Sequence, residues 1–232
     1  MSHQTIIGGR GSPSSDTAEQ FANDDRFFGI DGQAKRLIDL VMTLPVLIFI
    51  SPLLITLAIL IKLDDGGPVL FKQARLGRHG NTFSMLKFRT MRVGADALLE
   101  QYLKQNPDQR REWNKYQKLK ADPRITRLGK FLRKSSLDEL PQLLNILLGD
   151  MSVVGQRPIL PVQREAFGGH IEHYERARPG LTGLWQVSGR NALSFEDRAR
   201  LGTLYAERWS LIGDFKLILK TVPVVLMAQD SF

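Results

Sequence analysis

The 232-residue chain contains no cysteine. This absence excludes disulfide bonds, cysteine-ligated zinc and thiol nucleophiles, and it is typical of a reducing compartment without proving one. Acidic residues are in the minority, since 24 Asp and Glu stand against 32 Lys and Arg and leave a net charge of +8. A polyanionic partner would suit such a chain, whether nucleic acid, anionic lipid headgroups or a phosphorylated substrate.

The first thirty residues are rich in Gly, Ser, Asp and Asn and lack the apolar segment of a secretory signal. We therefore expect a flexible tail over residues 1–30. No internal repeat or linker follows it, so we expect a single membrane-anchored catalytic domain over residues 31–232, built around the apolar segment near its start.

That segment runs for 22 residues, from Leu40 to Ile61, without a charged side chain. Such a run is long enough to cross a bilayer, and the alternative is a buried core helix, although soluble cores rarely hold so long an uncharged run. A crossing helix usually has its basic residues biased to one side. Here they flank both ends, at Lys35, Arg36 and Lys62.

Ser51 and Pro52 lie near the middle of the run. Proline removes a backbone donor and bends a helix, and a neighbouring serine hydroxyl can satisfy the freed backbone groups inside a membrane. The sequence therefore predicts a re-entrant, monotopic helix over about residues 35–62, kinked at Ser51-Pro52, whose two ends lie on the same face of the membrane.

The remainder predicts an α+β fold that is predominantly helical. A small β-hairpin is expected with arms Val69–Arg75 and Thr82–Met91. Lys87 and Arg89 share one face of the second arm; they are either a solvated basic face or candidate phosphate-binding residues. A charged helical segment over residues 95–120 is broken near Asn106-Pro107. Basic amphipathic residues 125–134 and the apolar stretch 215–228 suit helices in a membrane interface.

Two adjacent carboxylates, Asp138 and Glu139, precede Pro141, a residue favoured in the first turn of a helix. The helix is expected to end at Gly149. One interpretation is purely structural, because Ser136 to Glu139 match a capping box and Asp138 could itself be the N-cap. Local pattern alone leaves that interpretation open.

The other interpretation is chemical. Arg133 upstream and Arg157 downstream could each hold phosphate oxygens through a bidentate fork. A carboxylate can attack a phosphoryl centre, and Mg²⁺, which takes one or two carboxylates together with substrate phosphates, would offset the charge repulsion. One carboxylate would then be the nucleophile and its neighbour would lie near the metal.

At this point the sequence resembles a known family, the bacterial sugar transferases of the monotopic phosphoglycosyl transferase superfamily in their short form. The resemblance runs from about Lys35 to the C-terminus and is closest to exopolysaccharide-initiating undecaprenyl-phosphate galactose or glucose phosphotransferases. Its motifs are ISPLL, GGPVLFKQARLGRHGNTFSMLKFRTM, DPRITRLGKFLRKSSLDELPQLLNILLGDMSVVGQRP and RPGLTGLWQVSGRN.

The resemblance implies a reaction in which a UDP-sugar and polyprenyl (undecaprenyl) phosphate give polyprenyl-diphosphate-sugar and UMP. It implies ping-pong chemistry through an aspartyl phosphosugar intermediate, with Asp138 as nucleophile and Glu139 as its acidic partner near Mg²⁺. Arg133 matches a phosphate-binding position, and Arg157-Pro158 match a motif at the uridine or phosphate end of the donor. Ser51-Pro52 match the kink of the re-entrant helix.

The family usually reads Gly-Pro-Arg-Pro where this chain has Gln156 in place of the first proline. Loss of the proline restraint predicts a looser loop there. The resemblance also implies a bacterial inner (cytoplasmic) membrane protein whose catalytic part faces the cytoplasm, with a possible homodimer and no nucleic-acid partner. The rival interpretations are a non-catalytic membrane scaffold that binds anionic lipid and a nucleic-acid-binding protein.

Overall fold

The computed structural model describes residues 30–116, 118–188 and 193–226. The expected tail, residues 1–30, lies outside this part apart from its last residue. The described part is α+β and predominantly helical, as predicted. Its helices are α1 (Ile30–Asp65), α2 (Ala95–Gln105), α3 (Pro107–Tyr116), α4 (Arg127–Lys134), α5 (Gln142–Leu148), α6 (Ile171–Glu175), α7 (Leu184–Val187), α8 (Phe195–Glu207) and α9 (Leu211–Leu226).

Four short strands accompany the helices. β1 (Leu70–Leu76) and β2 (Thr82–Phe88) form a two-stranded sheet close to the predicted hairpin, and the loop between them contains a 3₁₀ turn, Arg78–Gly80. β3 (Ser152–Val154) and β4 (Gly180–Thr182) form a parallel pair. The predicted helix break near Asn106-Pro107 is confirmed, because α2 ends at Gln105 and α3 begins at Pro107.

Helix α1 contains the whole apolar run. In the described part of the chain it is the one helix long and apolar enough to cross a membrane, with a mean hydropathy of 2.7 over its most apolar 18 residues and only 11% of that window buried. Phe49, for example, is 85% exposed. The alternative of a buried core helix is therefore wrong, because such a helix would be covered by other elements.

Ser51 and Pro52 lie inside α1, which stays helical on both sides of them. One turn later, the Thr56 hydroxyl donates a hydrogen bond to the Pro52 carbonyl, at 2.8 Å. A bend at this pair and a re-entrant path through a membrane remain predictions.

The chain groups into two compact units, each assembled from separate stretches. Among described residues, the first unit holds 30–49, 72–86 and most of 142–226, and the second holds 50–71 and 87–141. The division crosses α1 between Phe49 and Ile50, next to the predicted kink. The single catalytic domain expected over residues 31–232 remains a prediction.

In the first unit, a buried ion pair joins α1 to α9. Lys35 Nζ lies 2.5 Å from Asp214 Oδ2 and also donates to the Val154 carbonyl at 2.9 Å. Asp214 accepts two more hydrogen bonds, from the Tyr205 hydroxyl at 2.9 Å and from Trp209 Nε1 at 3.0 Å. The position of Lys35 in the sequence suggested a solvated residue flanking the apolar run. In the structure it is buried instead.

In the second unit, an apolar cluster fixes the elements around the carboxylate pair. Leu57 and Ile61 of α1 pack with Phe88 of β2 and Leu132 of α4, and Leu137 packs against the same cluster. Of the apolar face predicted for residues 125–134, Leu128 and Leu132 pack in this core, whereas Phe131 is 56% exposed. Contact between α4 and a membrane therefore remains a prediction.

Candidate active site

Asp138 and Glu139 lie in a 3₁₀ turn, Leu137–Glu139, that precedes α5 instead of starting it. Ser136 before the turn has a left-handed backbone (φ 55°) and makes no capping hydrogen bond through its side chain. Backbone hydrogen bonds close the turn, including one from the Glu139 N–H to the Ser136 carbonyl at 3.2 Å. The capping-box interpretation is therefore wrong: a serine in this conformation directs its backbone, not its hydroxyl, to the turn.

The left-handed backbone of Ser136 carries strain of order 1–2 kcal/mol for a residue other than glycine. The packing of Leu137 beside it supplies part of what holds the turn in place. Strain of this kind persists where the surroundings over-determine a conformation, and it is common at functional sites. The turn thus presents the two carboxylates from a fixed position.

Asp138 is 9% exposed, and burial raises the pKa of its carboxyl from 3.8 to about 6. The positive charge of Lys87 opposes this rise in pKa, the negative charge of Glu139 adds to it, and Arg133 opposes it. A carboxylate held away from water between two cations is poorly solvated, which makes it a better nucleophile than an exposed one.

Glu139 forms an ion pair with Lys87, whose Nζ lies 2.6 Å from Glu139 Oε1. The Glu139 side chain is 42% exposed and that of Lys87 is 24% exposed. The two neighbouring carboxylates therefore occupy different environments, one buried and one open to solvent. Such a difference is what separates the roles of paired acids in enzymes.

Arg133 lies in the last turn of α4, and its Nε donates to the Thr90 hydroxyl at 2.9 Å. Burial lowers the pKa of its guanidinium, and the Asp138 carboxylate raises it. Arg89 instead forms an ion pair with Asp65 at the end of α1. The structure therefore brings Lys87 and Arg133 to the carboxylate pair, whereas Arg89 has a different partner.

Arg157 and Pro158 belong to the first unit. The Arg157 guanidinium lies over the ring of Trp185, with its Cζ 4.5 Å from the ring centroid. The Pro158 carbonyl accepts a hydrogen bond from Arg75 Nη1 at 3.0 Å. Arg157 is exposed, and a role for it in binding phosphate remains a prediction.

Gln156, which replaces the first proline of the family pattern, is buried and hydrogen-bonded. Its Nε2 donates to the His173 carbonyl at 2.9 Å, and its own carbonyl accepts from the Gly180 N–H at 2.8 Å. Its Oε1 lies against Gly202 of α8, where a Cβ would overlap with it. The side chain thus links the loop to α6 and α8, and the loosening expected from the loss of proline remains a prediction.

The described part of the chain holds no group of three or more His, Asp or Glu side chains that could bind a metal ion. Two adjacent carboxylates are still a donor set that suits Mg²⁺, because this ion completes its octahedron with water and substrate phosphates. Burial is the main cause of the raised pKa of Asp138, and the negative charge of Glu139 adds to it; a bound cation would offset that charge repulsion. The pair fits the ion.

Comparison with known proteins identifies the class. The family model described as "Bacterial sugar transferase" matches residues 30–228, and the chain belongs to this family. The exopolysaccharide production protein ExoY of Sinorhizobium fredii is 45% identical over 203 residues, which cover 88% of this chain and 90% of that protein. The predicted family resemblance is confirmed, and the protein is an enzyme of the sugar-phosphate transferase class.

Two further relatives carry more specific names. The undecaprenyl-phosphate galactose phosphotransferase of Salmonella typhimurium is 44% identical over 198 residues, 85% of this chain but 41% of that protein. The UDP-glucose:undecaprenyl-phosphate glucose-1-phosphate transferase of Caulobacter vibrioides is 38% identical over 206 residues, 85% of this chain and 72% of that protein. The first of these two proteins is thus more than twice as long as the part that matches.

Sequence patterns missed three contacts, one in the second unit and two in the first. Nothing local pairs Lys87 with Glu139 or Gln156 with the His173 carbonyl, because 52 and 17 residues separate the partners. The contact of Arg198 with Trp185 was missed for the same reason. For these three contacts, the only sequence pattern that gave any indication was the period-two alternation that placed Lys87 on one face of β2.

The raised pKa of Asp138 predicts a pH-dependent stability difference between the wild-type protein and Asp138→Asn, measured without metal in a chelator. The folded pKa of about 6 exceeds the ordinary 3.8, so protonated Asp138 stabilises the fold at low pH, and this contribution is lost as pH rises through about 6. We expect Asp138→Asn to be the more stable protein above pH 7, by up to about 3 kcal/mol in thermal unfolding.

Asp96→Asn is the control, since Asp96 is an exposed carboxylate in the first turn of α2. Its stability relative to wild type should vary little between pH 4 and 8. A constant difference between wild type and Asp138→Asn over the same range would contradict the raised pKa.

The hydrogen bond from the Gln156 side chain to the His173 carbonyl predicts that Gln156→Pro lowers the stability of this chain instead of raising it. The substitution leaves the His173 carbonyl without its donor and opens space beside Gly202, which together should cost about 1–3 kcal/mol. Gly202→Ala should be destabilising in the wild type, where the new methyl group meets Gln156 Oε1. The same change should be less destabilising, or favourable, when it is combined with Gln156→Pro.

Thermal unfolding of the two single variants and the double variant measures this coupling. Additive effects would show that Gln156 and position 202 do not interact. Higher stability and faster turnover of Gln156→Pro alone would support the interpretation that glutamine loosens the loop.

Proposed function

We propose that this enzyme transfers a hexose 1-phosphate, of galactose or glucose, from a UDP-sugar to polyprenyl (undecaprenyl) phosphate and releases UMP, an initiating step of exopolysaccharide synthesis. The observation that carries the proposal is the buried carboxyl of Asp138, on a strained turn between the charges of Lys87 and Arg133. The names of the two relatives from Salmonella and Caulobacter support the choice of acceptor.

In the first step an ionised Asp138 oxygen attacks the β-phosphorus of the UDP-sugar. The bond from that phosphorus to the bridging oxygen breaks, and UMP leaves with the electron pair, so the sugar phosphate remains on Asp138 as an acyl phosphate. In the second step an oxygen of polyprenyl phosphate attacks the same phosphorus. The bond to Asp138 breaks, the carboxylate is regenerated, and polyprenyl-diphosphate-sugar is formed.

Electrostatics favours Asp138 over Glu139 as the nucleophile. Asp138 is the buried member of the pair, whereas Glu139 is bonded to Lys87 and half open to water. The charges of Lys87 and Arg133 lower the repulsion between an incoming diphosphate and two carboxylates. Mg²⁺ held by Asp138 and Glu139 would add positive charge that polarises the phosphoryl oxygens.

The two-step order suits substrates of very different solubility, because the soluble donor and the lipid acceptor need not be bound together. The non-catalytic scaffold and nucleic-acid alternatives explain the basic composition. Neither accounts for a buried carboxyl with a raised pKa or for membership of an enzyme family.

The test is UMP release by the full chain in nanodiscs with Mg²⁺ and a panel of UDP-sugars. Without acceptor lipid, we expect a burst of about one UMP per protein together with a sugar-phosphate adduct on Asp138 in the mass spectrum; added polyprenyl phosphate should allow turnover. Asp138→Asn should lose release by more than about a thousandfold while remaining folded, and a chelator should abolish release until Mg²⁺ is restored.

Asp96→Asn is again the control. It makes the same chemical change at an exposed carboxylate and should retain full release. Full activity of Asp138→Asn would refute the assignment of the nucleophile. Release that requires both substrates together would refute the two-step order.

We further propose that the chain is monotopic in the bacterial inner membrane, with both ends of α1 and the catalytic part on the cytoplasmic side. Two exposed apolar surfaces support this: the side chains along α1 and a stripe on α9 at Ile212, Phe215, Leu219 and Val222. Their spacing of three or four residues places the α9 side chains on one helix face, which suits an interfacial helix beside a re-entrant one.

The absence of cysteine allows a direct test of this topology. Gln33→Cys and Asp64→Cys place single thiols at exposed positions near the two ends of α1. In spheroplasts, a membrane-impermeant maleimide should label neither thiol until the cells are lysed. Labelling of one end in intact spheroplasts would show that α1 crosses the membrane.

A further inference from the structure

Trp185 is a buried residue with an unsatisfied donor. It lies in the short helix α7, whose Leu184 and Val187 pack against the core cluster that includes Val154. The Trp185 side chain is only 7% exposed, and its Nε1 has no hydrogen-bond partner among the described residues. A buried donor left in this state is destabilising, and indole N–H groups usually find an acceptor when buried.

Two arginines meet the same indole ring. The Cζ of Arg157 lies 4.5 Å from the ring centroid, and the Cζ of Arg198, from α8, lies 5.6 Å from it. Both distances are within the range of a cation–π contact. Both guanidinium groups therefore contact one ring, which brings two positive charges to the same buried side chain.

Arg198 has an unsatisfied hydrogen-bond donor. Its Nε is buried without a hydrogen-bond partner in the described part of the chain. None of the ion pairs formed between described residues includes Arg198. The cluster of Arg157, Trp185 and Arg198 therefore combines two positive charges with two unsatisfied N–H donors.

Such a cluster suits an oxyanion. A phosphoryl group offers several strong acceptor oxygens, and arginine binds it through paired N–H groups, with charge-assisted bonds about twice as strong as neutral ones. Its negative charge would complement the two positive charges that meet at the ring. Stacking on Trp185 reduces the freedom that each arginine must give up when it binds.

We propose that Trp185 and Arg198 form, with Arg157, a phosphoryl-binding subsite in the first unit. The identity of its ligand rests on the proposed function: the phosphoryl group belongs either to the nucleotide, as in UMP, or to polyprenyl phosphate. Arg157 was expected to bind phosphate from its motif, whereas the sequence assigned no role to Trp185, which lies in another quoted motif, or to Arg198, which lies in none.

The test measures binding without turnover. Titration calorimetry of the full chain in nanodiscs gives the Kd of UMP, and a second series gives the Kd of a short-chain polyprenyl phosphate. Arg198→Gln removes the charge at similar length, and Trp185→Phe keeps a ring for stacking but removes the N–H. Arg200→Gln is the control, because Arg200 is an exposed arginine on the same helix.

We expect Arg198→Gln to raise the Kd of one phosphoryl ligand about tenfold or more and Trp185→Phe to raise it about threefold to tenfold. Arg200→Gln should leave both Kd values within about twofold. An effect on UMP assigns the subsite to the donor nucleotide, and an effect on polyprenyl phosphate assigns it to the acceptor. Thermal unfolding identifies any variant that fails to fold. If Trp185→Phe does not fold, the Kd values of Arg198→Gln test the proposal, since this variant leaves the buried ring intact.

Unchanged Kd values for both ligands in Arg198→Gln, or equal losses in Arg200→Gln, would overturn the proposal, as would a wild-type protein that binds neither ligand. Failure of the proposed function has a different signature. In that case UMP still binds in a manner that depends on Arg198, but no UMP is released from any UDP-sugar.

Discussion

The ion pair between Lys35 and Asp214 is the interaction on which the first unit depends. Removing two charges from water is costly, and a buried pair is tolerated only when further hydrogen bonds satisfy its remaining atoms. Here the Val154 carbonyl, the Tyr205 hydroxyl and the Trp209 indole complete the set. The start of the apolar helix is thereby tied to β3, α8 and α9 at one buried point.

The carboxyl of Asp138 in the second unit is compensated to a smaller extent. Lys87 and Arg133 contribute positive charge, yet burial and Glu139 still leave the pKa of Asp138 raised to about 6. A fully satisfied carboxylate would be stable and unreactive. The contrast between the two units therefore separates a carboxylate that holds elements together from one that is suited to attack an electrophile.

The sequence predicted those features that depend on neighbours along the chain. Composition located the apolar run, two strand-like arms separated by turn residues predicted the hairpin, and Pro107 predicted the break between α2 and α3. It failed where the partner of a residue is distant along the chain. Lys35 looked like an exposed cation in the sequence, but it pairs with Asp214, 179 residues away. Gln156 illustrates the same limit: proline restrains a loop by its own ring, whereas glutamine does so only through a carbonyl supplied by His173.

The positive charge of the chain has a similar explanation. Arg36 donates to the carbonyls of Ile146 and Leu147 at 2.5 and 2.9 Å, and Arg178 donates to that of Gly149 at 2.7 Å. These cations donate to carbonyls at and just beyond the C-terminal end of α5, where the helix dipole is negative. A seven-residue helix is marginal by itself. Part of the basic excess that suggested a nucleic-acid partner therefore stabilises α5, the helix that follows the turn of Asp138 and Glu139 along the chain.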